Sequence, residues 1–254
     1  MSDEDRFARL ELLIGVAGRD RLARSSVAVF GLGGVGSFAV EALVRGGIGR
    51  LTLIDFDTVA KSNLNRQLHA LEQTIGRPKA LVMAERCRAI NPDAAIEAIQ
   101  EFYGPENADL LLDRGYDFVL DCIDNITAKL HLIQTCVERG LPIISSMGAA
   151  NKIDPTRVVL ADLAQTKICR RARVLRKELR RRGIEGGVPV VYSSEEFRPL
   201  TGGEGGRAPR SAGGELEYQQ RRVPLGSSSV VPPLFGLMMA GEVLRRLLGE
   251  GTTP

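Results

Sequence analysis

The sequence predicts an α/β fold: a doubly wound, mainly parallel sheet with helices on both faces and a C-terminal extension packed on that core. Three observations predict it. Short runs rich in β-branched residues alternate with longer runs of helical periodicity, a glycine-rich hexapeptide follows the first short run, and an apolar helix closes the chain. The strand-like runs fall at 26–30, 51–54, 96–102, 118–123 and 142–145. Continuous apolar runs of this length suit strands buried on both faces, as parallel sheets require. Helical patterns fill 36–45, 78–90, 106–113 and 126–139 between them. Pro78 suits the first turn of its helix, where a missing N–H costs nothing. A further strand-like pair, 157–161 and 188–192, brackets a basic segment. From 198 to 226 Gly, Arg, Glu and Ser dominate, and such a stretch cannot bury enough surface to order itself. The helix 234–248 needs a core to dock on. The chain therefore reads as one domain, 1–254, with a basic helix and flexible glycine-rich insertion at 162–226 and a closing helix at 230–250.

Composition bounds the function. Of 254 residues, 44% are apolar, which suffices for a core and excludes global disorder. The net charge of +3 hides an asymmetry: residues 167–182 hold nine Lys/Arg against one Glu, a local +8, which leaves the other 238 residues at −5. A polyanionic partner is the natural expectation for such a segment. MSDEDRFARL lacks the basic-then-apolar form of a signal peptide. No membrane span is expected, since the best candidate, 230–240, is short and interrupted by Pro232 and Pro233. Cys87, Cys122, Cys136 and Cys169 are far apart with no CxxC, which disfavours a disulfide scaffold and a four-cysteine zinc site. A cytoplasmic protein is expected.

The hexapeptide Gly31-Leu32-Gly33-Gly34-Val35-Gly36 is a GxGxxG opening a helix, the Rossmann-like arrangement in which backbone approaches a phosphate at a helix N-terminus. Asp55 ends the second strand, placed to accept hydrogen bonds from ribose hydroxyls. A nicotinamide dehydrogenase would be the default, but Asp57, Asn63-Leu64-Asn65-Arg66-Gln67, Lys79 and Asp124 follow. Strand ends of a doubly wound sheet share one crevice, so it gains two carboxylates and two cations. Nicotinamide chemistry needs no metal, whereas magnesium triphosphate needs carboxylates for the ion and Arg/Lys for phosphate oxygens. The set reads as ATP with Mg2+. Singly, each residue has an ordinary alternative: glycines for packing, Asp57, Asn63 and Asn65 as turn residues, Lys79 as a solvated first-turn lysine, and Asp124 or Asn125 as a helix cap.

GLGGVG, LIDFD, NLNRQ, RPKA and DCIDN, in this order and spacing, resemble the E1-like adenylating enzymes, the ubiquitin activators and their bacterial sulfur-transfer relatives. The resemblance implies attack of a substrate carboxylate on the α-phosphate of ATP, giving an acyl-adenylate and pyrophosphate. It implies that Gly31, Gly33, Gly34 and Gly36 form the nucleotide loop and that Asp55 holds the ribose. It further implies that Asn65, Arg66 and Lys79 hold the phosphates, with Asp124 binding magnesium and Asp57 nearby. Arg6-Phe7-Ala8-Arg9 is similar to the family segment whose second arginine, here Arg9, reaches ATP in the partner protomer, which implies a homodimer.

Beyond residue 70 the segments at 148–158, 162–168, 191–195 and 226–247 resemble the tRNA threonylcarbamoyladenosine dehydratase branch. That resemblance implies ATP-dependent cyclisation of the threonylcarbamoyl group on adenosine 37 of tRNA. Ring closure by an intramolecular nucleophile needs no enzyme thioester. Two alternatives stay open: adenylation of the C-terminal glycine of a ubiquitin-like sulfur carrier, disfavoured by the absent CxxC pairs, and a non-catalytic RNA-binding adaptor retaining the nucleotide fold. A sulfur-relay protein is a further partner to consider. In the basic segment Ala172, Leu175 and Leu179 share one helical face. Arg170, Arg171, Arg173, Arg176, Lys177, Arg180, Arg181 and Arg182 surround them, suited to tracking tRNA phosphates, or else a solvated amphipathic face. No aromatic residue interleaves them, so backbone positioning and not base stacking is expected. Cys169 and Cys122 read as structural thiols, His69 as a loop residue or a proton acceptor, and His131 as helix surface.

Overall fold

The computed structural model describes residues 5–199 and 225–250. Helix α1 (Ala8–Arg24) precedes β1 (Ser26–Phe30), α2 (Gly36–Arg45) and β2 (Arg50–Ile54). Then follow α3 (Lys79–Ile90), β3 (Ala95–Ile99), α4 (Ala108–Leu112), β4 (Phe118–Asp121) and α5 (Ile126–Glu138). The last third holds β5 (Ile143–Ser146), β6 (Val158–Asp162), α6 (Arg170–Arg180), β7 (Pro189–Ser193) and α7 (Val231–Leu248). The strands form one sheet in the order β3-β2-β1-β4-β5-β7-β6. Neighbours from β3 to β7 pair in parallel, and β6 runs antiparallel along β7 at the edge. The chain winds outward to β3 before returning to β4, so the β1/β4 junction is the switch point where such sheets open a crevice.

Strand β1 explains why the parallel runs lack alternation. Its side chains point to opposite faces in turn. Val27 and Val29 enter one core with Leu43, Phe235 and Met239, while Ala28 and Phe30 enter the other with Leu132, Leu175 and Leu179. Helices α2 and α7 supply the first core, α5 and α6 the second, which is the two-sided cover the sequence predicts.

Several boundaries differ from the sequence expectation. The strand expected at 96–102 ends at Ile99, and Phe102 lies outside it, edge-on to Phe56. The strand expected at 118–123 ends at Asp121, leaving Cys122 only partly buried in the following loop. Pro78 precedes α3 as its N-cap in extended conformation (ψ 129°) and bridges Thr58, so it clips the β2–α3 loop shut instead of starting the helix. The helix expected at 106–113 is a 3-10 turn followed by the short α4. Helix α7 begins at Val231 with Pro232 and Pro233 inside its first turn, where proline needs no N–H partner. Helix α1 has no counterpart in the sequence expectation. Its face is weakly apolar, and Leu12, Leu13 and Val16 are exposed. Residues 200–224, most of the insertion expected to be flexible, lie outside the described residues. The ends of that insertion meet at Asn151. Its N–H donates to the Gly226 carbonyl at 2.8 Å, and its side-chain amide donates to the Arg198 carbonyl at 2.8 Å.

Candidate active site

The glycine loop follows from its own closure. Gly31 turns with φ +89°, open to glycine, and a Cβ there would lie 2.8 Å from the Cys122 carbonyl oxygen. A Cβ at Gly36 would stand 1.8 Å from the Gly31 carbonyl oxygen. Packing alone therefore accounts for these two. It does not account for Gly33, where the nearest atom to an added Cβ is Gln67 Nε2 at 3.9 Å. Gly34 borders Pro232 and Arg66.

Asp55 ties the end of β2 to this loop. Its Oδ2 accepts the Leu32 N–H at 2.6 Å and its Oδ1 the Asp57 N–H at 2.8 Å. Burial raises its pKa above the usual carboxylate range, while the Lys79 charge and the two N–H bonds pull it back. The Lys79 N–H donates to the Asp57 carbonyl at 3.0 Å, and its buried Nζ reaches Asp57 Oδ2 at 2.8 Å. Leu32, the Asp55–Asp57 pair and Lys79, three segments distant in sequence, thus meet at one end of the sheet.

Asn63 is a turn residue, as its ordinary alternative had it: its Oδ1 accepts the Ala60 N–H at 3.0 Å. Asn65 and Arg66 differ. Arg66 Nη1 donates to Asn65 Oδ1 at 2.9 Å and to the Ser62 carbonyl at 2.8 Å, and Asn65 Nδ2 donates to the Ser227 carbonyl at 2.9 Å. The segment ahead of α7 is therefore part of this wall. Arg66 is half-buried, and desolvation lowers its pKa. Asp124 is exposed on the loop between β4 and α5. Asn125 caps α5, its Oδ1 accepting the Ala128 N–H at 3.0 Å, so capping does not explain Asp124. Arg9, in the first turn of α1, is exposed.

The most buried charges near the crevice are not among the residues that the sequence motifs single out. Asp121 and Lys129 are both fully buried and 2.6 Å apart. Ser145 Oγ donates to Asp121 Oδ2 at 2.6 Å and accepts from Lys129 Nζ at 3.1 Å. Burial lowers the Lys129 pKa, and Asp121 opposes that shift. A charge inside each of two apolar runs, FVLD and the helix after Asn125, was the available signal. His69 lies in the loop, as expected, and is buried there; neither ring nitrogen has a partner among the described residues, and burial with the nearby Lys79 pushes its pKa from 6.5 to about 4. That weakens it as a proton acceptor near neutral pH. His131 is half-buried, with Nδ1 3.0 Å from the Tyr103 hydroxyl, which corrects its placement on the helix surface.

Helix α6 buries Ala172, Leu175 and Leu179 as its periodicity predicts. Its cations divide. Arg173, Lys177, Arg180, Arg181 and Arg182 are exposed, with Arg181 paired to Glu178 at 2.7 Å. Arg176 is turned inward: its Nη1 donates to the Thr166 carbonyl at 2.8 Å and Thr166 Oγ1 at 2.6 Å, so it anchors the preceding turn. Arg171 is half-buried, and Arg170 lies over the Phe197 ring. Cys169 is buried at the N-cap.

Residues 6–254 match the ThiF family. The chain belongs to that family. A relative, the tRNA threonylcarbamoyladenosine dehydratase of Bacillus subtilis (strain 168), is 44% identical over 244 residues, covering 96% of this chain and 95% of the relative. The crystal structure of E. coli tRNA N6-threonylcarbamoyladenosine dehydratase, TcdA, in complex with ATP is similar with a TM-score of 0.84 and 34% identity, over 96% of this chain and 94% of that one. The same enzyme in complex with AMP gives a TM-score of 0.83 at 35% identity, with the same shares covered. In this ThiF-family chain the glycine loop, Asp55, the Lys79–Asp57 pair and the Asn65–Arg66 pair stand at the C-terminal ends of the central strands. No helix of the described residues is long and apolar enough to cross a membrane.

Proposed function

We propose that this chain is an ATP-dependent tRNA threonylcarbamoyladenosine dehydratase acting in the cytoplasm. The observation that carries the proposal is the half-exposed Lys79–Asp57 pair beside the Gly31–Gly36 loop, in a chain alike over 96% of its length to a dehydratase structure with ATP. The threonyl carboxylate attacks the α-phosphate and pyrophosphate leaves. Attack on the acyl carbon from within the same modification then closes the ring and expels AMP. One water is removed overall, its oxygen leaving in AMP.

Each residue has a task in that sequence. Asp55 accepts from the ribose hydroxyls, keeping its two backbone donors. Asn65, Arg66 and Lys79 hold phosphate oxygens, and Lys79 exchanges Asp57 for them. Asp124 and Asp57 suit magnesium, which takes one or two carboxylates alongside phosphates; no group of three or more His, Cys, Asp or Glu side chains that could hold a metal occurs among the described residues. When bound, that ion neutralises charge on the triphosphate. Arg9 reaches the partner's ATP in a homodimer, supported by the exposed Leu12, Leu13 and Val16 on the same helix. Arg180–Arg182 and their exposed neighbours on α6 follow the tRNA backbone.

Pyrophosphate exchange into ATP tests the reading. Exchange should require tRNA carrying threonylcarbamoyladenosine. Exchange driven instead by a sulfur-carrier protein with a C-terminal glycine would contradict it.

A further inference from the structure

The basic segment has no aromatic residue of its own, but the fold brings one to it. Phe197, beyond β7, meets the Arg170 guanidinium at 4.9 Å from the ring centroid, and the residue stays 39% exposed with that contact made. The backbone around it is pinned on both sides. Glu195 Oε2 accepts the Ile153 and Asp154 N–H groups at 2.9 Å each, and Glu195 Oε1 accepts Arg198 Nε at 2.8 Å. The Arg198 N–H donates to the Asn151 carbonyl at 3.1 Å. A ring held in this way loses little freedom when a ligand covers it.

Its position is equally specific. The first turn of α6 lies against the end of β5: a Cβ on Gly148 would be 3.8 Å from Arg171 Cβ and 3.9 Å from Cys169 Sγ. Strand β5 neighbours β4, whose end carries Asp121 and leads to Asp124. Phe197 thus stands beside the first turn of α6, at the crevice edge of the sheet.

We propose that Phe197, backed by Arg170, is the stacking platform for an unpaired nucleobase of the RNA substrate. The proposal rests on the RNA reading above and deepens it. A paired duplex hides its base faces, whereas a loop can splay a base onto an aromatic ring or an arginine plane. Such stacking accepts any base and changes affinity by about five- to a hundredfold per base. A phosphate, by contrast, gains nothing from the ring.

The test uses the full chain and an RNA stem-loop with 2-aminopurine at an unpaired position, beside a fully paired duplex of equal length. Phe197→Ala should weaken stem-loop binding about tenfold or more, leaving duplex binding, the salt slope and ATP affinity unchanged. Phe197→Trp should retain binding. Fluorescence of the 2-aminopurine should be quenched by the wild type and by Phe197→Trp, and not by Phe197→Leu. Wild-type stem-loop affinity in Phe197→Leu, or unquenched fluorescence in a wild-type complex, would overturn the platform while leaving the RNA reading intact. If the wild type binds neither RNA, the RNA reading itself fails and the platform with it.

Discussion

Two lysine–aspartate pairs stand at the same edge of the sheet and differ in what surrounds them. Lys129 and Asp121 are fully buried, with Ser145 bonded to both and the Ile123 N–H on the other Asp121 oxygen at 3.1 Å. Lys79 is buried, but the side chain of Asp57 is 37% exposed. The first pair finds its partners inside the fold and joins the ends of β4 and β5. The second presents charge at a solvent boundary, where a phosphate can take the place of the carboxylate. Breaking a buried pair leaves an uncompensated charge, whereas a half-exposed pair is worth little. The buried pair serves the scaffold, and the half-exposed pair beside the glycine loop is the one proposed to meet a phosphate.

Substitution should separate the pairs most sharply. Lys129→Met strands Asp121 and should destabilise the fold by about 3–5 kcal/mol in chemical denaturation, much of it recovered by adding Asp121→Leu. Equal stability of the single variant and the wild type would erase the distinction. Lys79→Met should change stability by about 1 kcal/mol or less. It should lower turnover about a hundred- to a thousandfold, as when a charge-stabilising donor is removed from a transition state.

His69 lies in the field of Lys79 and sharpens the comparison with pH. The fold holds it neutral, with its pKa pushed down to about 4 from 6.5. Its contribution is full above pH 6.5 and is lost as pH falls through about 4, a change of about 3 kcal/mol. Denaturation midpoints followed from pH 7 to pH 4 should fall, and in His69→Phe that part of the decline should be absent. An identical decline in the variant would assign it to other groups.

The same scaffold-or-site division runs through α6 with smaller effects. Arg176→Ala should cost about 1 kcal/mol of stability through its lost hydrogen bonds and leave the salt slope of tRNA binding unchanged. Arg180→Ala should leave stability within about 0.5 kcal/mol. It should reduce the salt slope by about one. The reverse pattern would exchange their roles.

What was legible in the sequence follows from the range of the interactions. The strand–helix alternation, the glycine loop and the buried face of α6 are local patterns that the sequence carries, apart from the weakly apolar α1 and several element ends. Asp55, Asn65, Arg66, Lys79 and Asp124 are recognisable because their motifs keep a fixed order. The Asp121–Lys129–Ser145 cluster joins three elements: a charge inside each of two apolar runs hints at it, and no local pattern shows that the two meet. Nor does sequence distinguish Arg176 from Arg180, since both lie off the apolar face and only the turn at Thr166 draws one inward. Phe197 and Arg170 meet through the β6–β7 pairing, 27 positions apart.

Dehydration of a modified tRNA at a carboxylate-adenylating site is checked by incubating the protein with ATP, magnesium and tRNA carrying or lacking threonylcarbamoyladenosine, then weighing the nucleosides. Loss of one water from the modified nucleoside alone, with AMP and pyrophosphate formed in equal amounts, is the predicted result. An unchanged modified nucleoside in the presence of bound ATP would contradict it.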